Sequence, residues 1–223
     1  MFNKLYFIEI NEEIDFRQYN QYLKILLPDK QALIKSLRYE IDKKLSLISE
    51  MFVRYIVWKI LEVNNSDIIL SKNNYGKPFL VGFPDFQFNI SHTRCAIVIG
   101  FSEKPIGIDI EKINIADLTI AELFFSENEL NYILSDQQQQ NKLFYEVWTK
   151  KESYIKWLGK GLSIPLATFD IISNELDELF NLIHIDNYLI SVCSENIYGE
   201  RDMISLSEYQ TIQLLSEYNF VKL

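Results

Sequence analysis

Residues 105–113 read PIGIDIEKI. Asp109 and Glu111 stand two positions apart, with Ile106, Ile108 and Ile110 on the opposite parity. A strand sends successive side chains to opposite faces, so the isoleucines enter a core and the carboxylates share the other face, roughly 6.5–7 Å apart. Two such anions repel. A solvated strand face is one explanation. A hard divalent cation is the other, because Mg²⁺ takes oxygen ligands from one or two carboxylates together with substrate phosphates. Gly107 favours the cation, since a strand glycine often marks close approach of a ligand or another backbone.

A second constellation lies in WTKKESYIKWLGKGL, residues 148–162. Glu152 and Lys156 are i,i+4 in the acid-before-base order that stabilises helices. Taken alone, the pair reads as an exposed helix salt bridge. The stretch also gathers Lys150, Lys151, Lys156 and Lys160 beside a Gly-Lys-Gly turn. Lysines beside backbone amides freed by glycines suit phosphate. His92 sits in SHTRC with Ser91, either a polar turn or a binding element, whereas His184 lies in an apolar alternating segment and reads as structural. NYGKP, residues 74–78, is a turn with one lysine, Lys77.

Other chemistries are not supported. No serine sits in a Gly-x-Ser-x-Gly setting. There is no Walker or dinucleotide glycine loop, and no cysteine–histidine zinc spacing. The 223 residues carry 22 Lys plus Arg against 31 Asp plus Glu, a net charge of −9. Such a chain is a poor general binder of nucleic acid or anionic membrane, so a phosphate ligand needs a local basic pocket or a metal. No apolar run reaches the ~18 residues that span a bilayer, and no signal peptide is read at the start. The two cysteines, Cys95 and Cys193, imply no disulfide framework. A cytoplasmic, reduced protein is expected.

The elements that must position these residues follow from periodicity. Residues 2–10 predict an opening strand, and a helix begins after Pro28. Residues 46–62 predict the first long helix. Residues 86–91, AIVIGF and PIGIDIEK predict closely spaced strands in an antiparallel meander. Ser126 and Glu129 form a capping-box pattern that opens a helix over 126–134. Residues 142–158 predict the second long helix, with Gly159 and Gly161 ending it. ATFDII, NLIHI and YLISVCS predict strands, the last two joined at Asp186-Asn187. Without regular βαβ alternation, the fold class is α+β. Each half has one long helix and about three strands, which hints at a duplication.

In order, YGKP, FNISHT, GIDIE, FFSENEL and WTKKESYIKWLGKGL resemble the 4′-phosphopantetheinyl transferase family, of the surfactin-synthetase-activating type. The resemblance is clear over residues 74–166. It implies transfer of phosphopantetheine from coenzyme A to a serine of an apo acyl or peptidyl carrier protein, with Mg²⁺ as cofactor and adenosine 3′,5′-bisphosphate released. The pathway would be fatty-acid, polyketide or nonribosomal-peptide synthesis. The implied fold is a pseudo-dimer of two similar α+β halves, 1–104 and 105–223, each with a small, mainly antiparallel sheet and a long helix, and the active site lies between them. The resemblance further implies Asp109, Glu111 and Glu152 as metal ligands, and Glu152 with Lys156 as the catalytic pair. Coenzyme A contacts would come from Tyr75, Gly76, Lys77, Pro78, Ser91, His92 and Lys156. Lys30 fits a family lysine after the Pro-acid pair. Leu45 stands where relatives usually have arginine, Ser49 where they have glycine, and Leu33 where a basic residue is expected; Lys44 is the candidate replacement. Residues 113–125 read either as core or as an apolar docking surface for the carrier. The expected state is a monomer that engages neither nucleic acid nor membrane.

Overall fold

The computed structural model describes residues 3–12 and 15–217; Phe2, the first residue of the predicted opening strand, lies outside them. In chain order the elements are β1 (Lys4–Glu9), α1 (Asn20–Leu23), α2 (Pro28–Ser36), α3 (Glu40–Leu61), β2 (Leu70–Lys72), β3 (Pro78–Leu80), β4 (Gln87–His92), β5 (Ala96–Ser102) and β6 (Ile106–Lys112). They continue as α4 (Leu118–Phe124), α5 (Glu127–Leu134), α6 (Gln140–Leu158), α7 (Asn174–Asp177), β7 (Phe180–Ile185), β8 (Tyr188–Ser194), β9 (Met203–Ser207) and α8 (Glu208–Glu217). The α+β class and the two long helices, α3 and α6, are those expected from the sequence.

Two principal sheets form. One has the order β4-β5-β1-β9 and the other β6-β8-β7; a separate β2-β3 hairpin stands alone. The meander prediction fails at its third strand. β4 and β5 pair antiparallel, but β6 pairs with β8, with Asp109 opposite Ser191. The alternation of PIGIDIEK specifies which face is buried, not which strand lies alongside. ATFDII is also not a strand. Its backbone is taken up by side chains: Lys151 Nζ donates to the Phe169 carbonyl at 2.7 Å, and the Ile171 amide donates to Glu129 Oε1 at 2.9 Å. The capping box of α5 and the left-handed Gly159 that ends α6 are as predicted. The first long helix starts earlier than its apolar periodicity indicates, at Glu40.

Apolar faces join the sheets. Ile8, Ile48, Phe52 and Phe101 pack α3 onto one face of the first sheet. Leu5, Phe7 and Val98, on its other face, meet Ile106, Ile108 and Ile110 of β6. All three isoleucines are buried as expected. The opposite face of β6 lies on α6 with no room to spare. A Cβ built at Gly107 would fall 2.0 Å from the Ser153 carbonyl oxygen and 2.2 Å from the Trp157 nitrogen. Backbone on a packed helix cannot yield as a flexible side chain does. Gly107→Ala should therefore push α6 from β6 and cost about 1–3 kcal/mol or more, read as a lower urea midpoint with the m-value retained.

Candidate active site

β6 and α6, held together at Gly107, bring two predicted residues into contact. Lys156 Nζ lies 2.6 Å from Asp109 Oδ1, so its ion pair is with Asp109 and not with Glu152. Ser91, at the end of β4, donates to the same Asp109 oxygen at 2.9 Å and accepts from Lys156 at 3.0 Å. Three elements thus meet in one cluster. Asp109 is 5% exposed, and its Oδ2 is buried with no hydrogen-bond partner among the described residues.

Glu111 and Glu152 complete the acidic group. The Glu111 carboxyl is pushed up to about 7, first by burial and next by the Asp109 charge, although the Trp148 indole N–H donates to its Oε1 at 3.3 Å. Glu152 is raised above the ordinary carboxyl value by burial, then by Asp109. Among the described residues these acids do not form a preformed metal cage. Lys156 and Ser91 engage one oxygen of Asp109, and Trp148 holds Glu111. The donor set nevertheless fits a hard divalent cation: three mutually repelling carboxylates, one with an orphaned buried oxygen.

Next to this cluster runs a cleft of about 460 Å³ between α3 and the β2-β3 hairpin. His92 links the two, because its imidazole lines the cleft while the Lys156 ammonium, after the surrounding protein, pushes its pKa down. Lys30 and Pro78 line the cleft as well. Lys44 does not belong to it: its ammonium is buried against Glu208 at 3.0 Å and the Asn11 carbonyl. One residue is about 100° of helix, which turns Lys44 away from the face that carries Ser46 and Ser49. Tyr75 and Gly76 are exposed at the hairpin turn, where Gly76 has φ of +91°. Lys77 Nζ is spent on the carbonyls of Ile106, at 3.0 Å, and Trp157, at 3.3 Å. Of the four lysines grouped by sequence, Lys151 is buried against Glu129 at 2.6 Å, Lys150 pairs with Asp177 at 3.0 Å, and only Lys156 reaches the acidic cluster.

Sequence reading missed Ser46, Glu50, Arg54 and Lys72 in the cleft. The signal was there: positions 46, 49, 50, 53 and 54 recur at helical spacing, with polar groups on a helix otherwise apolar. Glu50 holds Lys30 at 3.0 Å and the Arg54 guanidinium at 3.1 Å, so it offsets charge that a phosphate ligand would otherwise meet. A separate hollow of about 900 Å³ is lined by Glu9, Glu12 and Glu208. It is larger, but its carboxylates suit a polyanion poorly.

Comparison with known proteins gives this arrangement a family. A family model for the 4′-phosphopantetheinyl transferase superfamily matches residues 105–211. Another, for the 4′-phosphopantetheinyl transferase N-terminal region, matches residues 15–103. The 4′-phosphopantetheinyl transferase gsp of Aneurinibacillus migulanus is 40% identical over 174 residues, covering 77% of this chain and 72% of its own. The 4′-phosphopantetheinyl transferase Sfp of Bacillus subtilis (strain 168) is 33% identical over 193 residues, covering 83% of this chain and 86% of its own. The chain belongs to the 4′-phosphopantetheinyl transferase superfamily.

In this transferase the Lys156–Asp109–Ser91 cluster lies at the seam between β4, β6 and α6. No helix among the described residues is long and apolar enough to cross a membrane. The Glu111 shift has a consequence for stability. Its carboxyl titrates near 7 in the folded protein against an ordinary 4.5. Between those values the folded state holds a proton that the unfolded state has released, so stability falls as pH rises through the window. Glu111→Gln removes this titration. The variant's melting temperature should gain on the wild type between pH 4.5 and pH 7.5 in metal-free buffer; a constant gap would contradict the assignment.

Proposed function

We propose that this transferase moves 4′-phosphopantetheine from coenzyme A to a serine hydroxyl of an apo acyl or peptidyl carrier protein, releasing adenosine 3′,5′-bisphosphate. The observation that carries the proposal is the Lys156–Asp109–Ser91 cluster at the end of a cleft lined by Lys30, Lys72 and His92. The halves are 1–104 and 105–223, and the reaction takes place where they meet. The protein acts as a monomer in the cytoplasm, in fatty-acid, polyketide or nonribosomal-peptide synthesis.

Each residue has a task. Lys30, Lys72, Ser46 and His92 receive the nucleotide end of coenzyme A, with Pro78 as part of the apolar wall. Ser91 and Lys156 face the diphosphate. Asp109, Glu111 and Glu152 would hold Mg²⁺, which would supply positive charge against the negative charge of the phosphates. In the reaction a bond forms between the carrier serine oxygen and the phosphorus that bears pantetheine. The bond from that phosphorus to the bridging oxygen breaks, and the nucleotide leaves with the electron pair. The Lys156 ammonium stabilises charge as it grows. Glu152, whose proton affinity is raised by burial and by Asp109, takes the serine proton directly or through water.

Intact mass of candidate carriers, after incubation with coenzyme A and Mg²⁺, tests the reaction. A gain of one phosphopantetheine group is expected. Coenzyme A cleavage without any carrier would instead mean a hydrolase using the same acids. Lys156→Ala should lower the transfer rate roughly a hundredfold or more, as loss of one charge-stabilising donor commonly does. It should also lower the melting temperature, because the buried Asp109 loses its ion-pair partner. Lys156→Arg should restore little, since a planar fork does not replace a compact ammonium. Full turnover in Lys156→Ala would leave the pair a structural one.

A further inference from the structure

Lys77 resembles a coenzyme A contact by its place in the family motif, yet its ammonium faces two backbone carbonyls that belong to other elements. Each of those carbonyls lies where regular structure leaves it unsatisfied. Among the described residues β6 is the edge strand of its sheet, paired only with β8. On its free side, the Ile106 carbonyl accepts from Lys77, and the Ile108 amide donates to Asn89 Oδ1 at 2.8 Å. The last carbonyls of a helix likewise lack intrahelical partners. At the end of α6, the Trp157 carbonyl accepts from Lys77, and the Gly159 carbonyl accepts from Asn73 Nδ2 at 2.7 Å. A cation at this helix end also suits the macrodipole.

The turn between β2 and β3 is shaped for the task. Asn73 Oδ1 accepts from the amides of Tyr75, at 2.9 Å, and Lys77, at 3.0 Å, which folds the turn on itself. Gly159 meets it closely: a Cβ there would lie 3.1 Å from Lys77 Cδ and 3.3 Å from Asn73 Nδ2. The two carbonyls that Lys77 joins sit beside the reactive cluster in sequence. Trp157 follows Lys156 directly, and Ile106 is three residues before Asp109. Burial lowers the Lys77 amine to about 8. That is the shift of a cation held among neutral dipoles, whereas an anionic partner would raise it.

We infer that Lys77 and Asn73 are positioning residues: the β2-β3 turn clamps the end of α6 to the free edge of β6 and thereby fixes Lys156 against Asp109. This rests on the proposed function for its consequence in turnover, but the clamp itself can be read without turnover. Lys77→Met keeps the stem and removes the donor. Asn73→Ala removes the second contact without altering charge, and serves if the first variant folds poorly. Three quantities are measured well below the melting temperature: coenzyme A affinity by calorimetry, the rate of carrier loading, and amide hydrogen exchange over residues 155–159.

Both variants should exchange faster at 155–159 and load carrier at least tenfold more slowly, with coenzyme A affinity within twofold of wild type. Weaker coenzyme A binding by tenfold or more in Lys77→Met, with exchange unchanged, would make Lys77 a ligand contact and overturn the inference. Faster exchange with an unchanged loading rate would overturn the positioning role and leave ordinary packing. If the wild type itself neither binds coenzyme A nor loads a carrier, the function proposal fails, and unchanged exchange in both variants would sink the clamp separately.

Discussion

The Lys156–Asp109–Ser91 cluster depends on the contact between β6 and α6 at Gly107. With no side chain at that position, a helix backbone reaches a strand backbone at a distance no other residue permits. The consequence is geometric. Asp109, two residues on, points to the same side as Gly107, toward α6. Lys156, three residues after Ser153, arrives at 2.6 Å from it. Ser153 and Ser191 share a hydrogen bond at 2.9 Å under this contact, tying α6 to β8 as well. A short acid–ammonium pair is therefore the outcome of a backbone approach. It does not depend on two long side chains finding one another in solvent.

Much of this was legible in the sequence, for identifiable reasons. The isoleucine alternation of PIGIDIEKI determines the buried face, and that is a local property. Capping of α5 by Ser126 and Glu129, and the end of α6 at Gly159, are local too. What escaped notice is long-range. β6 leaves the meander for β8 because pairing partners are chosen by tertiary packing, which period-2 patterning cannot express. Lys44 and the clustered lysines mislead because a lysine in sequence carries no label for its partner: Lys151 is taken by Glu129, Lys44 by Glu208, Lys150 by Asp177. The polar stripe of α3, by contrast, was readable and was passed over, since the strong apolar periodicity of the same helix masks it.

The distribution of charge reconciles a net −9 with the polyanionic substrate proposed above. Carboxylates line the larger hollow, whereas Lys30, Arg54, Lys72 and His92 gather on the smaller cleft. Within that cleft Glu50 ties down two cations. A ligand phosphate would therefore enter a nearly balanced network and compete with Glu50 for them. The arrangement keeps like charges from repelling before a ligand arrives, and it limits how strongly any small anion can bind. The Lys151–Glu129 pair works differently. Fully buried and shared with the Phe169 carbonyl, it is inaccessible to ligand and braces α5 and α6 together with the segment after residue 168. Removing one partner from such a pair typically costs about 3–5 kcal/mol.

β9 has a consequence for how the protein is made. It lies parallel to β1, with Leu5 opposite Met203, so the first described strand is completed by the last. During synthesis, β1 can pair with β5 long before β9 has left the ribosome. Until then one edge of β1 stays open, with its hydrogen-bonding groups unpaired. Closing so long a loop is slow, because chain entropy is lost before the contact is made. The nascent first sheet is thus an edge waiting for β9, which can add only after every other strand of that sheet has been made.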